Sequence, residues 1–265
     1  MTETSVEIDT TRPGLARMYD YLLGGTENHP VDRALIDELA VTDPGLFAAA
    51  RVNRDFLIRA VRHLAEDVGI RQFLDIGSGL PTQNNVHAVA QAVAPESRVV
   101  YVDRDPSITA HAESLVRGQD NVAVVLGDLA RPQEILDAPA VRRLIDFNQP
   151  VGLLLVAVLH FVPDAEDPWS GVRLLLDALP SGSYLLMSHV SLATVDELAA
   201  TTDEALGKWN IQHNAHRPKS DIARFFDGLE LLEPGLVETT EWRVEPAAVR
   251  KVSDMVVYAG LARKN

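Results

Sequence analysis

The residues best equipped for chemistry lie between Phe73 and Thr82, in the segment FLDIGSGLPT. An apolar run ends at Ile76, Gly77-Ser78-Gly79 supplies a tight turn, and a helix is expected to start near Gln83 or Asn84. Glycines let a backbone approach a ligand closely, and the N-terminus of a following helix offers free N–H groups. Dinucleotides and S-adenosyl-L-methionine (SAM) both use such a turn. A dinucleotide fingerprint, G-x-G-x-x-G/A, needs a small third residue for close helix–strand packing; this chain has Thr82 there, preceded by Pro81. Asp75, just before the turn, favours the cationic ligand. SAM carries a sulfonium and an ammonium, whereas a carboxylate would repel a pyrophosphate.

Two more aspartates follow in order. The run RVVYVD ends at Asp103, twenty-eight residues after Asp75. A carboxylate at that strand tip can accept hydrogen bonds from both ribose hydroxyls of a nucleoside. A third run ends LGDL, which puts Asp128 where an acceptor meets an adenine amino group and Leu129 against the ring. Asp also favours helix caps and turns, so each aspartate alone has an ordinary structural explanation. Three in order at successive strand tips point to a ligand crevice.

A fourth run, LLLVAVLHFV from Leu153, is expected to deliver Ala157, Val158 and His160 to the same crevice. Were the ligand SAM, methyl transfer would depend mainly on holding nucleophile and methyl group in line, with a base needed only for a hydroxyl or protonated amine. His160 is the candidate base; a histidine hydrogen-bonded in the loop crossover is the competing reading. His189, in MSHV, is a weaker candidate. Tyr19 is a second catalytic candidate and, with Asn28, a candidate lid residue. Arg51, Asn53 and Arg54 could join that pocket, Arg54 by pairing with the cofactor's carboxylate, while Arg51 reads as simply solvated. His213-x-x-His216 has metal-ligand spacing but no carboxylate close by in the sequence, so it reads as a polar loop and no metal is expected. The chain contains neither a G-x-S-x-G elbow nor a G-x-x-x-x-G-K-[ST] loop, which argues against common hydrolases and phosphate-loop NTPases.

These residues need a scaffold, and the alternation of elements supplies one. Residues 1–10 read as a mobile leader. Helices are expected over Pro13–Leu23, Pro30–Leu39 and Leu46–Val68, with Gly24-Gly25 as a stop and Pro30 in a first turn. Beyond residue 70, short apolar runs begin near Gln72, Arg98, Val122, Gly152 and Ser183, separated by helical segments. Near-continuous apolar strands alternating with helices indicate a parallel sheet covered on both faces. DEALGKW and SDIARFFDGLELLEP read as helices, the second capped by Ser220, and LELLEPGLVE and DMVVYAGLAR as a closing strand pair. The expected fold is therefore α/β, a Rossmann-like seven-stranded, mostly parallel sheet with helices on both faces and an antiparallel last strand. Residues 1–70 form an N-terminal helical extension or lid, and 71–265 the ligand-binding domain, as one structural unit.

Of 265 residues, 46% are apolar and 23% charged, enough for a sizeable core. The net charge of −14 disfavours a nucleic-acid partner, because that affinity comes mainly from Lys and Arg neutralising phosphates. The absence of cysteine excludes disulfides, thiolate metal sites and a cysteine nucleophile. No apolar run is long enough to span a bilayer and no signal peptide is recognisable, so a cytoplasmic location is expected.

Taken together, LDIGSG, YVDRD, LGDL and LLLVAVLHFV resemble the successive motifs of a class I, Rossmann-like SAM-dependent methyltransferase, over roughly Gln72 to Val190. More narrowly, ARMYDYLLGGTENHPVDR, RQFLDIGSGLPT and RFFDGLELLEPGLV resemble an actinobacterial methyltransferase family of unassigned substrate. The resemblance implies that Asp75, Gly77, Ser78 and Gly79 cradle the methionine part, Asp103 with Arg104 the ribose, and Asp128 with Leu129 the adenine. Ala157 and Val158 would flank the methyl donor; the family brings no established acceptor, and the acidic net charge and apolar helices point to a small molecule. A nicotinamide-dependent oxidoreductase and a non-catalytic SAM-binding protein are the competing functions.

Overall fold

The central apolar runs become parallel strands because, except in the second half of the run from Val122, their residues are largely buried on both faces, which leaves no position for an alternating polar side. β1 (Gln72–Ile76) is buried at every residue. It pairs in parallel with β2 (Arg98–Asp103) on one side and β4 (Gly152–Val156) on the other. β3 (Val122–Leu126) extends the first side and β5 (Tyr184–Ser191) the second. β8 (Val256–Arg263) then pairs antiparallel along the whole of β5, and β6 (Glu230–Leu231) and β7 (Val237–Glu238) both pair antiparallel with β8. Among the described residues the sheet has eight strands, in the order β3-β2-β1-β4-β5-β8-β6 with β7 also on β8. The count exceeds seven because LELLEPGLVE breaks at Glu233-Pro234 into two short strands rather than one. The structure describes residues 9–81, 85–213, 215–244 and 251–265 of this computed structural model. Most of the leader, and Thr82, Gln83 and Asn84, lie outside them.

One face of the sheet packs against α6 (Pro132–Asp137), α7 (Pro139–Leu144) and α8 (Pro168–Asp177), through Ile135, Val141 and Leu175. The other packs against α3 (Leu46–His63) and α4 (Val86–Val93), where Phe56 meets the fully buried Trp242 edge-on at 5.2 Å. The helix of α3 runs on through a wider π turn to Val68 and stops at Gly69 (φ +85°). α5 (Pro106–Leu115) is capped by Asp105, whose carboxylate accepts from the Ser107 N–H.

The segment SDIARFFDG is not one helix. α10 (Lys219–Ala223) begins after Pro218, so Ser220 lies inside it rather than at its cap, and a tight turn over Arg224–Phe226 ends it before β6. The periodicity of Ile222, Phe225 and Phe226 still holds, since all three are buried.

α1 (Leu15–Leu22), α2 (Pro30–Thr42) and α9 (Asp196–Gly207) form an added helical layer around Met18, Leu22, Ile36, Leu39 and Leu206. Asp32 anchors it. Its fully buried carboxylate accepts from the Gly14 N–H (2.8 Å), the His29 N–H (2.8 Å) and Arg17 Nε (2.9 Å), so it fastens the starts of α1 and α2 together. Removing one partner of a buried ion pair strands the other charge. Asp32→Ala is therefore expected to lower the unfolding free energy by about 3–5 kcal/mol in urea titration, with loss of helical signal; a change below about 1 kcal/mol would refute the anchoring role.

Candidate functional site

In an open parallel sheet the ligand crevice lies where strand order reverses, outside the carboxyl ends of the strands. Here the chain winds from β1 outward to β3 and then returns to β4 on the other side of β1. The turn after β1 and the turn after β4 meet at that point. Gly77 has φ +71° and Gly79 φ +62°, the left-handed region that favours glycine. A Cβ on Gly77 would fall inside the Val158 side chain. The Gly77 and Ser78 N–H groups both donate to the Val102 carbonyl, at 2.8 and 3.1 Å, which folds the turn back over β2.

The turn opens into a cavity of about 620 Å³, inside the range of roughly 300–1,000 Å³ common for sites of drug-sized ligands. Asp75, Gly77, Ser78, Gly79, Asp103, Arg104, Asp128, Leu129, Ala157, Val158, His160 and Tyr19 all contribute to its wall. The three aspartates thus share one cleft. Asp103 ends β2, and its carboxylate accepts from the Gly79 N–H (2.9 Å) and the Asp105 N–H (3.0 Å). Asp128 stands two residues beyond the end of β3 rather than at its tip, just after Gly127 makes the last bond to β2, its N–H donating to the Asp103 carbonyl at 2.9 Å. Its carboxylate accepts from the Ala130 N–H at 3.0 Å, the turn-capping role open to any Asp.

β4 likewise stops early, at Val156. Ala157 takes φ +55°, an unusual conformation for alanine, and His160 follows in a tight turn over Leu159–Phe161 instead of ending the strand. What holds Ala157 there is a directed chain of hydrogen bonds that sequence reasoning missed. The Ala157 N–H is shared between the Ser188 carbonyl (3.1 Å) and Ser188 Oγ (3.0 Å), and Ser188 Oγ donates to Asn53 Oδ1 (2.7 Å). Asn53 Nδ2 donates to the Tyr19 hydroxyl (2.9 Å), which donates to the Ala50 carbonyl (3.3 Å). The relay crosses from β4 through β5 and α3 to α1. It engages the Tyr19 hydroxyl structurally and leaves its ring on the cavity wall.

Charge in the cleft is unevenly compensated. Burial raises the Asp75 carboxyl to about 7, opposed by the Arg54 guanidinium and reinforced by Asp103. Burial also raises Asp103, against its two backbone hydrogen bonds. Arg54 lies on the cavity wall with its guanidinium carbon 5.5 Å from the Tyr19 ring centre, and its buried Nε has no partner among the described residues. His160 is buried with Nδ1 unpartnered among the described residues; burial first, then His189, holds it well below the usual imidazole value, so it is neutral.

The remaining candidates divide. His189 is not on the cavity wall: Nδ1 donates to the Val190 carbonyl (2.6 Å) and Nε2 accepts from Arg217 (3.1 Å). Burial and Arg217 lower it to about 3. Arg217, unnoticed in the sequence, also donates to the Leu159 and Val162 carbonyls and to Asp164, and so clamps the His160 turn. Asn28 is spent on Asp20 and the Gly25 carbonyl, and Arg51 is exposed. His213 and His216 do acquire a carboxylate, Asp203 of α9, with both Nε2 atoms 2.9 Å from its Oδ1.

A family model for S-adenosyl methyltransferases matches residues 1–265. The chain belongs to this family. It is a SAM-dependent methyltransferase, which fits a cleft that offers carboxylates and a glycine turn to a cationic nucleoside. A DUF574 family protein from Streptomyces avermitilis is 41% identical over 98% of this chain and 100% of its own, with a TM-score of 0.91. A candidate methyltransferase from Thermobifida fusca is 42% identical over 97% of each chain, with a TM-score of 0.88. The fold extends to the plantazolicin methyltransferase BamL, solved with S-adenosylhomocysteine, at 10% identity and a TM-score of 0.54. No match is found among curated proteins.

The raised Asp75 carboxyl fixes two pH dependences. Unfolded, it ionises near 3.8, and folded near 7, so the folded protein holds the extra proton between these values and stability falls as pH rises across that window. Affinity for the cationic cofactor should move the other way, strengthening from pH 6 to pH 8 as Asp75 ionises. Calorimetric titration with SAM across that range checks this, and Asp75→Asn should flatten the profile; an equally steep profile in the variant would assign it to another group.

Proposed function

We propose that this methyltransferase binds SAM across the tips of β1, β2 and β3 and passes the methyl group to a small, largely apolar acceptor in the cytoplasm of an actinobacterium. One observation carries the reading: the glycine turn, the three aspartates and Arg54, whose buried Nε has no hydrogen-bond partner among the described residues, line the same cavity. Asp75 and the Gly77-Ser78-Gly79 turn hold the methionine part, with Arg54 facing its carboxylate. Asp103, beside Arg104, takes the ribose hydroxyls, and Asp128 with Leu129 the adenine. When bound, SAM supplies an electrophilic methyl group on a sulfonium.

Around the rest of the cavity the wall changes character. Leu22, Ile36, Leu39, Leu206, Trp209 and Ile211 come from the N-terminal helices, α9 and the segment after it, and make an apolar chamber over the crevice. That chamber supports the lid role of residues 1–70 and an acceptor without strong charge. Ala157 and Val158 would flank the methyl group, and neutral His160 can orient an acceptor hydroxyl or receive its proton. The net charge of −14 supports a partner other than nucleic acid, and among the described residues no helix is long and apolar enough to cross a membrane.

Two substitutions separate the parts. Asp103→Ala is expected to weaken SAM and S-adenosylhomocysteine by about 1–3 kcal/mol, roughly 5- to 150-fold, with the melting temperature as the control for folding. Arg54→Met should weaken both ligands similarly while leaving methylthioadenosine, which lacks the carboxylate, unaffected. Unchanged affinity in Asp103→Ala would remove the ribose assignment. Equal losses for all three ligands in Arg54→Met would remove the carboxylate assignment.

A further inference from the structure

We propose that Asp203, His213 and His216 form a binding site for a divalent transition cation of the zinc type, set against the wall of the cavity. Each residue offers one ligand atom, and the three atoms lie within 4.8 Å of one another. The same ring nitrogen, Nε2, of both histidines points at one carboxylate oxygen from 2.9 Å. A cation with bonds of about 2.0–2.2 Å holds its ligand atoms roughly 3–3.5 Å apart, and the three atoms already lie within 4.8 Å of one another, so side-chain movements of no more than about 1.5 Å admit one. The two imidazoles lie 5.7 Å apart, tilted by 37°, on a turn facing α9. The site therefore joins a helix to a loop rather than lying within one element.

The donor set selects the class of ion. Imidazole nitrogens suit zinc, cobalt, nickel and copper, whereas magnesium and calcium prefer all-oxygen sites. Three protein ligands leave at least one position for water or another donor, unlike the closed four-ligand sites that only hold a fold together. Access is graded. The Asp203 and His216 side chains are about half exposed, at 49% and 44%, so an ion can enter from solvent, whereas His213 is 8% exposed and lies on the cavity wall. A bound cation would fix the segment after α9 that closes the apolar chamber. The cost is small: the His213 proton moves to Nδ1, which gives up a long 3.4 Å contact with the Ala215 N–H. The site stands whether or not the cofactor assignments hold.

The test uses the full chain, free of any affinity tag and stripped with chelator, titrated with ZnCl₂ and CoCl₂ by calorimetry and visible absorption. One equivalent is expected to bind per chain, with the visible band of cobalt bound to nitrogen and oxygen in low coordination. His216→Ala and Asp203→Asn, both at half-exposed positions, should each weaken binding by at least about tenfold while S-adenosylhomocysteine affinity and melting temperature without metal stay unchanged. Absence of binding to the unsubstituted protein, leaving a hydrogen-bonded latch only, would overturn the proposal. So would binding that both variants retain, which would put the ion elsewhere.

Discussion

The energetic crux of this protein is a carboxylate kept out of water without a matching charge. Asp75 is 7% exposed, stands beside Asp103, and is opposed chiefly by Arg54. Folding alone would favour an apolar side chain there, since burying ionisable groups costs several kcal/mol even after relaxation. In the proposed binding mode a cationic nucleoside would reverse that balance, because its sulfonium and ammonium would provide the missing counter-charge in a setting where water screens little. The protein thus carries a local destabilisation that a ligand removes, and the sheet around it must be rigid enough not to relax it away.

That rigidity comes from how the two turns are held. Gly77 fits under Val158 only because it lacks a side chain, and Val158 stays put because Ala157 is pinned through Ser188 and Asn53 to Tyr19. Arg217 secures the next turn from below through two carbonyls and Asp164. The N-terminal helices are consequently wired into the floor of the cleft as well as forming its roof. Movement of α1 away from the sheet would break the relay as well as open the chamber.

Much of this was legible in the sequence. Parallel strands buried on both faces read as unbroken apolar runs, so all five were found. The glycine turn announced itself because left-handed backbone under a crowded neighbour demands glycine. Asp103 and Asp128 were visible because they follow those runs, although Asp128 stands beyond its strand. Harder to see was the end of β4: LLLVAVLHFV is apolar but for His160, and nothing local marks the break at Ala157, whose N–H is shared between the carbonyl and the hydroxyl of Ser188, thirty-one residues away. Contacts between distant polar residues leave no local signature. For that reason Ser188 and Arg217 went unnoticed, Asn53 was read as a pocket residue without its bonds to Ser188 and Tyr19, His189 looked available for chemistry when it is held by Arg217, and Asp203 was not recognised as the neighbour of His213 and His216. The helix expected to open at Ser220 starts just after Pro218 and ends already at Ala223, where apolar spacing alone suggested a longer one.

β8 has a consequence for how the molecule is made. It lies between β5 and the short strands β6 and β7, and is synthesised after all three. Until it emerges, the whole length of β5 presents unpaired N–H and carbonyl groups beside an apolar face, the kind of edge that templates aggregation. A nascent chain, or one cut short before Val256, would carry that open edge, so chaperone protection late in translation matters more here than in a sheet whose edges close in chain order.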